Sequence, residues 1–184
     1  MLALVFLLVG DPMWAVTIDG QFDYRPSNDQ QLGFGFGIGG RRHELGLGDL
    51  SLWAGLDVFY DQFSSTVHVV TDQGQYDDAA KLTSESFLPM QLVRFEVGLL
   101  SFEVGGGGGL AVIHYSRPSN GMTTLELNLS EWDFALRGVA SAAYQFWRDT
   151  SIELRFAYTH TYLSTALPDA PDLYSIGLGG VYRF

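Results

Sequence analysis

The chain has 184 residues, 47% of them hydrophobic and 14% aromatic, with 22 Gly, no Cys and a formal net charge of -11. This length points to one domain. The missing cysteines exclude a disulfide framework or a thiolate metal site, and the acidity excludes a nucleic-acid partner, which needs a basic stripe. No apolar run reaches the roughly 18 to 20 residues of a membrane-spanning helix, so any bilayer-crossing form of this chain must be a closed β-barrel, the other structure that satisfies its backbone in lipid.

Residues 1–15 read as a secretory signal peptide. Leu2 to Val9 has the length of its apolar core, and Ala15 is the small residue before cleavage, although no Lys or Arg precedes the run and Met13 is large. The folded domain is then 16–184. Period-two segments follow in chain order. In 16–24, Val16, Ile18, Phe22 and Tyr24 oppose Thr17, Asp19, Gln21 and Asp23. A link at 25–31 leads to 32–40, where Leu32, Phe34, Phe36 and Ile38 oppose glycines at 33, 35, 37 and 39. After a link at 41–49, 50–60 sets Leu50, Leu52, Leu56, Val58 and Tyr60 against Ser51, Trp53, Gly55, Asp57 and Phe59.

The stretch 61–87 reads as a long acidic loop, with Asp61, Asp72, Asp77, Asp78 and Glu85 against Lys81; within it, Thr66 to Thr71 can extend a strand. Strands at 90–99 and 102–116 join through a tight turn near Leu100 and Ser101. A polar loop at 116–131 leads to a strand from Trp132 to Phe146. A turn at Arg148 and Asp149, a strand from Ser151 to Tyr162, a link at 163–172 and a last strand at 173–184 complete the count. In that last strand Tyr174, Ile176, Leu178, Tyr182 and Phe184 share one face.

Eight strands, turns and loops that alternate in length, and a closing strand that ends in Phe resemble the small bacterial outer-membrane β-barrels, the class of the OmpA transmembrane domain and OmpX. The resemblance implies an all-β, eight-stranded antiparallel transmembrane barrel with up-and-down meander topology, its apolar face to lipid and its polar face to a lumen. It implies both termini in the periplasm, contact with outer-membrane lipid and lipopolysaccharide, and an assembly signal at Tyr182 and Phe184 read by the barrel-assembly machinery. Two aromatic girdles are expected. Phe102, Phe146, Trp147, Tyr182 and Phe184 fall on the periplasmic side; Tyr60, Phe63, Tyr115, Trp132, Tyr162 and Tyr174 fall on the outer side.

An eight-stranded barrel is just wide enough for its own side chains to fill it. The inward face carries Asp57, Arg94, Glu96, Glu103, Arg137, Glu153 and Arg155, and charges held there must pair. They make either a structural ion-pair plug or a narrow gated path for water, ions or small solutes. The inward glycines leave free volume or make room for Trp53 and Phe59.

One constellation has catalytic character. His114 and Ser116, with Glu126 beyond, resemble the His-x-Ser-Asn motif of the PagL family of lipid A deacylases, which implies a base, a nucleophile and an orienting carboxylate. Arg117 stands where that family has Asn. His43, His68 and His160 show no metal-ligand spacing, and no cofactor is implied. Three functions follow: a structural or surface-interaction barrel that meets an extracellular partner through 61–87 and 116–131, a narrow channel, or a lipid A deacylase.

Overall fold

The computed structural model describes residues 13–26, 31–71, 74–117, 127–162 and 172–184. Eight strands make up the fold: β1 (Trp14–Arg25), β2 (Gln31–Leu47), β3 (Leu50–Thr71), β4 (Gly74–Val97), β5 (Leu100–Arg117), β6 (Leu127–Trp147), β7 (Thr150–Thr161) and β8 (Asp172–Arg183). Each pairs antiparallel with the next. β8 closes on β1 from Ala15↔Arg183 to Tyr24↔Tyr174, which makes an up-and-down barrel in chain order. Trp14 and Phe184 finish the seam with reciprocal backbone bonds of 3.0 and 2.9 Å.

Burial is inverted relative to a protein in water. Phe22 is 80% exposed and Trp132 71%, whereas Asp57 is 0% and Arg137 2%. Along β1 the alternation is complete: Ile18, Phe22 and Tyr24 face out, while Thr17, Asp19, Gln21, Asp23 and Arg25 face in. An apolar belt around a polar interior is the pattern that lipid requires. The 12-residue strands β1, β7 and β8 slightly exceed the roughly 9–11 residues a tilted strand needs to cross the hydrocarbon layer.

The structure redraws several sequence boundaries. β1 starts at Trp14, so the boundary set after Ala15 falls inside a strand, and Ala15 is buried. Residues 1–12 lie outside the described residues. The link at 41–49 is mostly β2, which reaches Leu47 and turns at Gly48 and Asp49. A register shift between His43 and Leu45 breaks the period-two pattern there, as a bulge does, and so hides the strand. The next turn lies at Gly98 and Leu99 rather than at Leu100 and Ser101. Gly48 and Gly98 have φ of +66° and +61°, which suits the first position of a two-residue hairpin turn and is strained for other residues.

The largest correction concerns 61–87. β3 and β4 stay in register from Phe63↔Leu82 to Thr71↔Gly74, so this segment is a hairpin and only 72–73 lie outside the described residues. Beyond the membrane both faces of a strand meet water, and alternation disappears while the backbone ladder continues. Thr66 to Thr71 does extend a strand, as expected. Among the described residues β2 pairs with β3 as far as Phe63 and β5 with β4 as far as Lys81, so within them the tip beyond Ser64 and Ala80 is a two-stranded ribbon, about 25 Å long at the usual strand rise. Likewise β5 runs to Arg117 and β6 starts at Leu127, which shortens the loop placed at 116–131; 118–126 lie outside the described residues.

We expect Leu178→Arg, at mid-strand on the outer face and 63% exposed, to lower unfolding stability in lipid vesicles by about 2–4 kcal/mol. Urea titration measures this; unchanged stability would contradict the lipid-facing assignment.

Candidate functional site

The interior is built from the bare face of β2 upward. A Cβ at Gly37 would lie 2.5 Å from the Phe59 ring and one at Gly33 2.5 Å from Phe63, and Cβ atoms at Gly39 and Gly35 would overlap the carboxylates of Asp57 and Asp61. The glycines therefore let the β3 side chains lie flat across β2. They make room for Phe59, as expected, but also for Asp57, Asp61 and Phe63 rather than for Trp53, whose ring instead lies 5.3 Å from that of His43.

Polar groups line β1, β2, β3, β7 and β8. The opposite wall, from β4 to β6, is mainly apolar, with Leu88, Met90, Leu92, Ala111, Ala135 and Val139 packed against Trp53 and Phe59. Across the middle of the lumen, Arg41 Nη1 donates to both oxygens of Glu103 at 2.6 and 2.8 Å, while its Nη2 lies 3.7 Å from Asp57. Arg155 Nη1 donates to Asp19 at 3.1 Å and lies 3.8 Å from Asp57; its Nε lies 3.1 Å from Glu153. Asp57 thus sits between two guanidiniums, and the planar Arg forks join five strands into one layer.

A second layer lies nearer the long-hairpin end. Arg137 donates to Thr159 Oγ1 at 3.2 Å and to Gln21 Oε1 at 2.9 Å, and Gln21 Nε2 donates in turn to Asp61. The Arg137 guanidinium lies 3.8 Å from the Phe59 ring centroid, a cation–π contact strengthened by exclusion of water. Above it, Phe63, Leu82, Ile113 and Leu173 form an apolar cap, with Arg25 lying 5.0 Å from the Phe63 ring. At the short-turn mouth, Arg94 donates to Ser101 at 2.6 Å, and Glu96 lies 2.8 Å from Arg94 and 3.3 Å from Arg183.

Six of the seven expected lumen charges, Asp57, Arg94, Glu103, Arg137, Glu153 and Arg155, are buried inside. Glu96 is 46% exposed and belongs to the mouth. Asp19, Asp23, Arg25, Arg41, Asp61 and Asp133 are buried members that the predicted network lacked. Asp19 and Asp23 carried the right alternation, whereas Arg25, Arg41 and Asp61 were assigned to links. Phe63 is 0% exposed and so is not a girdle residue: it shares the odd-numbered inward face of Phe59. The side chain of Tyr115 lies outside the described residues. Among the girdle residues, Tyr182 and Phe184 stack at 6.1 Å and are exposed, as are Phe102, Phe146, Trp147, Trp132, Tyr162 and Tyr174.

His114 and Ser116 share the outer face of β5. His114 Nδ1 lies 2.8 Å from the hydroxyl of Ser130, its cross-strand partner, while Ser116 pairs with Asn128. Glu126 lies outside the described residues. His160 bonds Asp172 at 2.7 Å across β7 and β8, and no group of three metal-ligating residues is present among the described residues.

Charges this deep are costly when unpaired, and removing one partner of a buried pair costs about 3–5 kcal/mol. Arg155→Ala leaves Asp19, Asp57 and Glu153 facing one another. We expect a loss of that size in urea unfolding, with a smaller loss for Arg155→Ala combined with Asp57→Asn; equal losses would mean the two groups do not interact.

No protein-family model matches the sequence, and no curated protein matches it. Solved structures do. Neisserial surface protein A aligns over 93% of this chain and 97% of its own, with a TM-score of 0.59 and 13% identity. Ail, the attachment invasion locus protein of Yersinia pestis, solved with the heparin analogue sucrose octasulfate, aligns over 95% and 100% with a TM-score of 0.57 and 13% identity. The outer-membrane enzyme PagL aligns over 89% and 98% with a TM-score of 0.54 and 16% identity. Together with the closed meander and the inverted burial, these likenesses give the chain the fold of the small eight-stranded bacterial outer-membrane β-barrels.

Proposed function

We propose that this chain is a surface-interaction barrel of the Gram-negative outer membrane, closed to solutes, which acts through the strands that project beyond the lipid. The single observation that carries this reading is the combination of a filled lumen with a β3–β4 hairpin that, among the described residues, outruns both of its neighbours. Arg41, Asp57, Arg137 and Arg155 are each at most 3% exposed, so the layers that would have to conduct are almost wholly covered by neighbouring side chains. The extended hairpin and the outer ends of β5 and β6 offer strand backbone to a partner outside the cell. The likeness to Ail, named for attachment and invasion, is consistent with such a role.

In this reading the short turns and both termini lie in the periplasm, with the residues ahead of β1 serving as the export signal, shorter than the 1–15 expected because Trp14 and Ala15 belong to the seam. The exposed Tyr182–Phe184 pair at the seam is the element read by the barrel-assembly machinery, and lipopolysaccharide surrounds the rim opposite the termini. The expected partner surfaces are the ribbon tip beyond Ser64 and Ala80, the projecting part of the stretch 61–87, and 116–131. The narrow-channel alternative has the buried arginine layers against it. For a PagL-like deacylase, the described geometry pairs His114 with Ser130 rather than with Ser116.

Planar bilayers containing the refolded protein should be silent, and resolved conductance steps would overturn the closed reading. An epitope inserted between Asp72 and Gln73 should be accessible to antibody on intact cells; an epitope reached only after lysis would reverse the orientation. Cells that express the wild type or Ser116→Ala should carry the same lipid A acylation by mass spectrometry. A deacylated species present only with the wild type would instead make Ser116 a nucleophile.

A further inference from the structure

The lipid-facing wall is not uniform. A groove of about 460 Å³ opens on the outer face of β6 and β7, over the cross-strand pair of Gly107 and Arg137, and its walls are Leu136, Gly138, Tyr158, His160 and Tyr162. A Cβ at Gly138 would meet nothing within 4 Å, so β6 leaves an empty outward position beside Tyr158, its partner in the ladder. His160 stands opposite Asp172 at one end of the β7–β8 ladder, and the rung Thr150↔Tyr182, next to the chain terminus, stands at the other. The groove therefore begins at the rim opposite the termini and descends into the apolar belt.

Two of its walls are held from one side by a single carboxylate. Asp172 Oδ1 accepts from Tyr158 Oη at 2.6 Å and lies 2.7 Å from His160 Nδ1. His160 also meets the Tyr162 ring edge-on at 4.5 Å, which fixes its ring plane. The carboxylate partner assigns the imidazole hydrogen to Nδ1. The neutral ring is then left with the Nε2 lone pair, and the Tyr158 oxygen keeps its own lone pairs. The groove thus offers hydrogen-bond acceptors at its upper end and hydrocarbon below. A ligand that matches it carries donors where its apolar chain begins.

We propose that this groove seats one hydroxyacyl chain of lipopolysaccharide, its hydroxyl or amide N–H donating to His160 Nε2 and the Tyr158 oxygen and its methylenes lying over Gly138 against Leu136. The inference rests on the proposed outward orientation of this rim, and it gives the surrounding lipid a defined seat. Chain chemistry selects the occupant. The acyl chains of lipid A carry hydroxyls, and some are joined through amides, so donors lie at the depth where the chains start. Glycerophospholipid chains start at esters, which only accept, and would leave the lone pairs of His160 and Tyr158 unmatched. An acceptor left without a donor away from water costs more than a made hydrogen bond contributes, so a difference in donors becomes a difference in occupancy. The empty position at Gly138 lets the chain approach the β6 backbone closely and gain dispersion contacts there.

The test uses the refolded protein in nanodiscs of equal parts lipid A and phosphatidylcholine, with native mass spectrometry counting the lipids retained on the released barrel and heat-modifiable migration checking the fold of each variant. The wild type should retain lipid A about fivefold over phosphatidylcholine, the ratio that about 1 kcal/mol of net hydrogen bonding provides. His160→Phe keeps a ring but loses the acceptor, and Gly138→Leu fills the open space; each should bring the ratio toward parity. Parity in the wild type, or an undiminished ratio in Gly138→Leu, overturns the groove as the seat, and an undiminished ratio in His160→Phe overturns the match of donor to acceptor. Both lipids reach both ends of a barrel in a nanodisc, so these ratios read the groove alone, whereas the epitope between Asp72 and Gln73 reads the orientation.

Discussion

Closure of the hydrogen-bonded ladder between β1 and β8 is the constraint on which the rest depends. In lipid no water can satisfy a free strand edge, so Trp14 to Tyr24 must meet Tyr174 to Phe184. Closing eight strands fixes a lumen that side chains alone can fill. The alternation then has one workable sense, with Ile18, Phe22 and Leu178 outward and Asp19, Asp57 and Arg155 inward. The interior is consequently polar and its charges are buried, as at Asp57, Arg137 and Arg155, which is why guanidiniums and carboxylates must interlock there.

The interior is solved unequally on its two sides. On β2 the glycines surrender volume to Asp57, Phe59, Asp61 and Phe63. On β5, Gly105, Gly107 and Gly109 lie against the β4 carbonyls around Pro89, and the apolar side chains of β4 fill the space. The result is a plug in which arginine forks bridge strands far apart in sequence. Arg41 reaches Glu103 and Arg137 reaches Gln21, so the charged layer fixes the cross-section of the barrel as well as its contents.

Much of this was legible in the sequence wherever alternation was intact. The last strand, the β7 pattern and the inward placement of Asp57, Arg137 and Arg155 follow from parity alone. Arg41 was hidden because the shift between His43 and Leu45 breaks parity just beyond it. Asp61 and Phe63 were missed because polar residues downstream suggested a loop, although their odd numbering matches that of Phe59. The ribbon beyond Ser64 was faint because a strand in water carries no apolar stripe. Pairings such as His160 with Asp172, or Arg155 with Asp19, depend on register and closure, which no single strand encodes. Oppositely, the His114 and Ser116 spacing looked chemical, and the cross-strand register gives His114 a different serine.

The central claim is that the lumen is shielded from water by its own charge layers. Because the chain has no cysteine, single-cysteine labelling in vesicles tests it directly. Ala135→Cys, at an inward position with 0% exposure, should resist a charged thiol reagent for as long as the barrel stays folded, and should react at once in urea. Labelling of folded Ala135→Cys as fast as a cysteine placed at Gln73 would contradict the account, because water would then fill the space assigned to the plug.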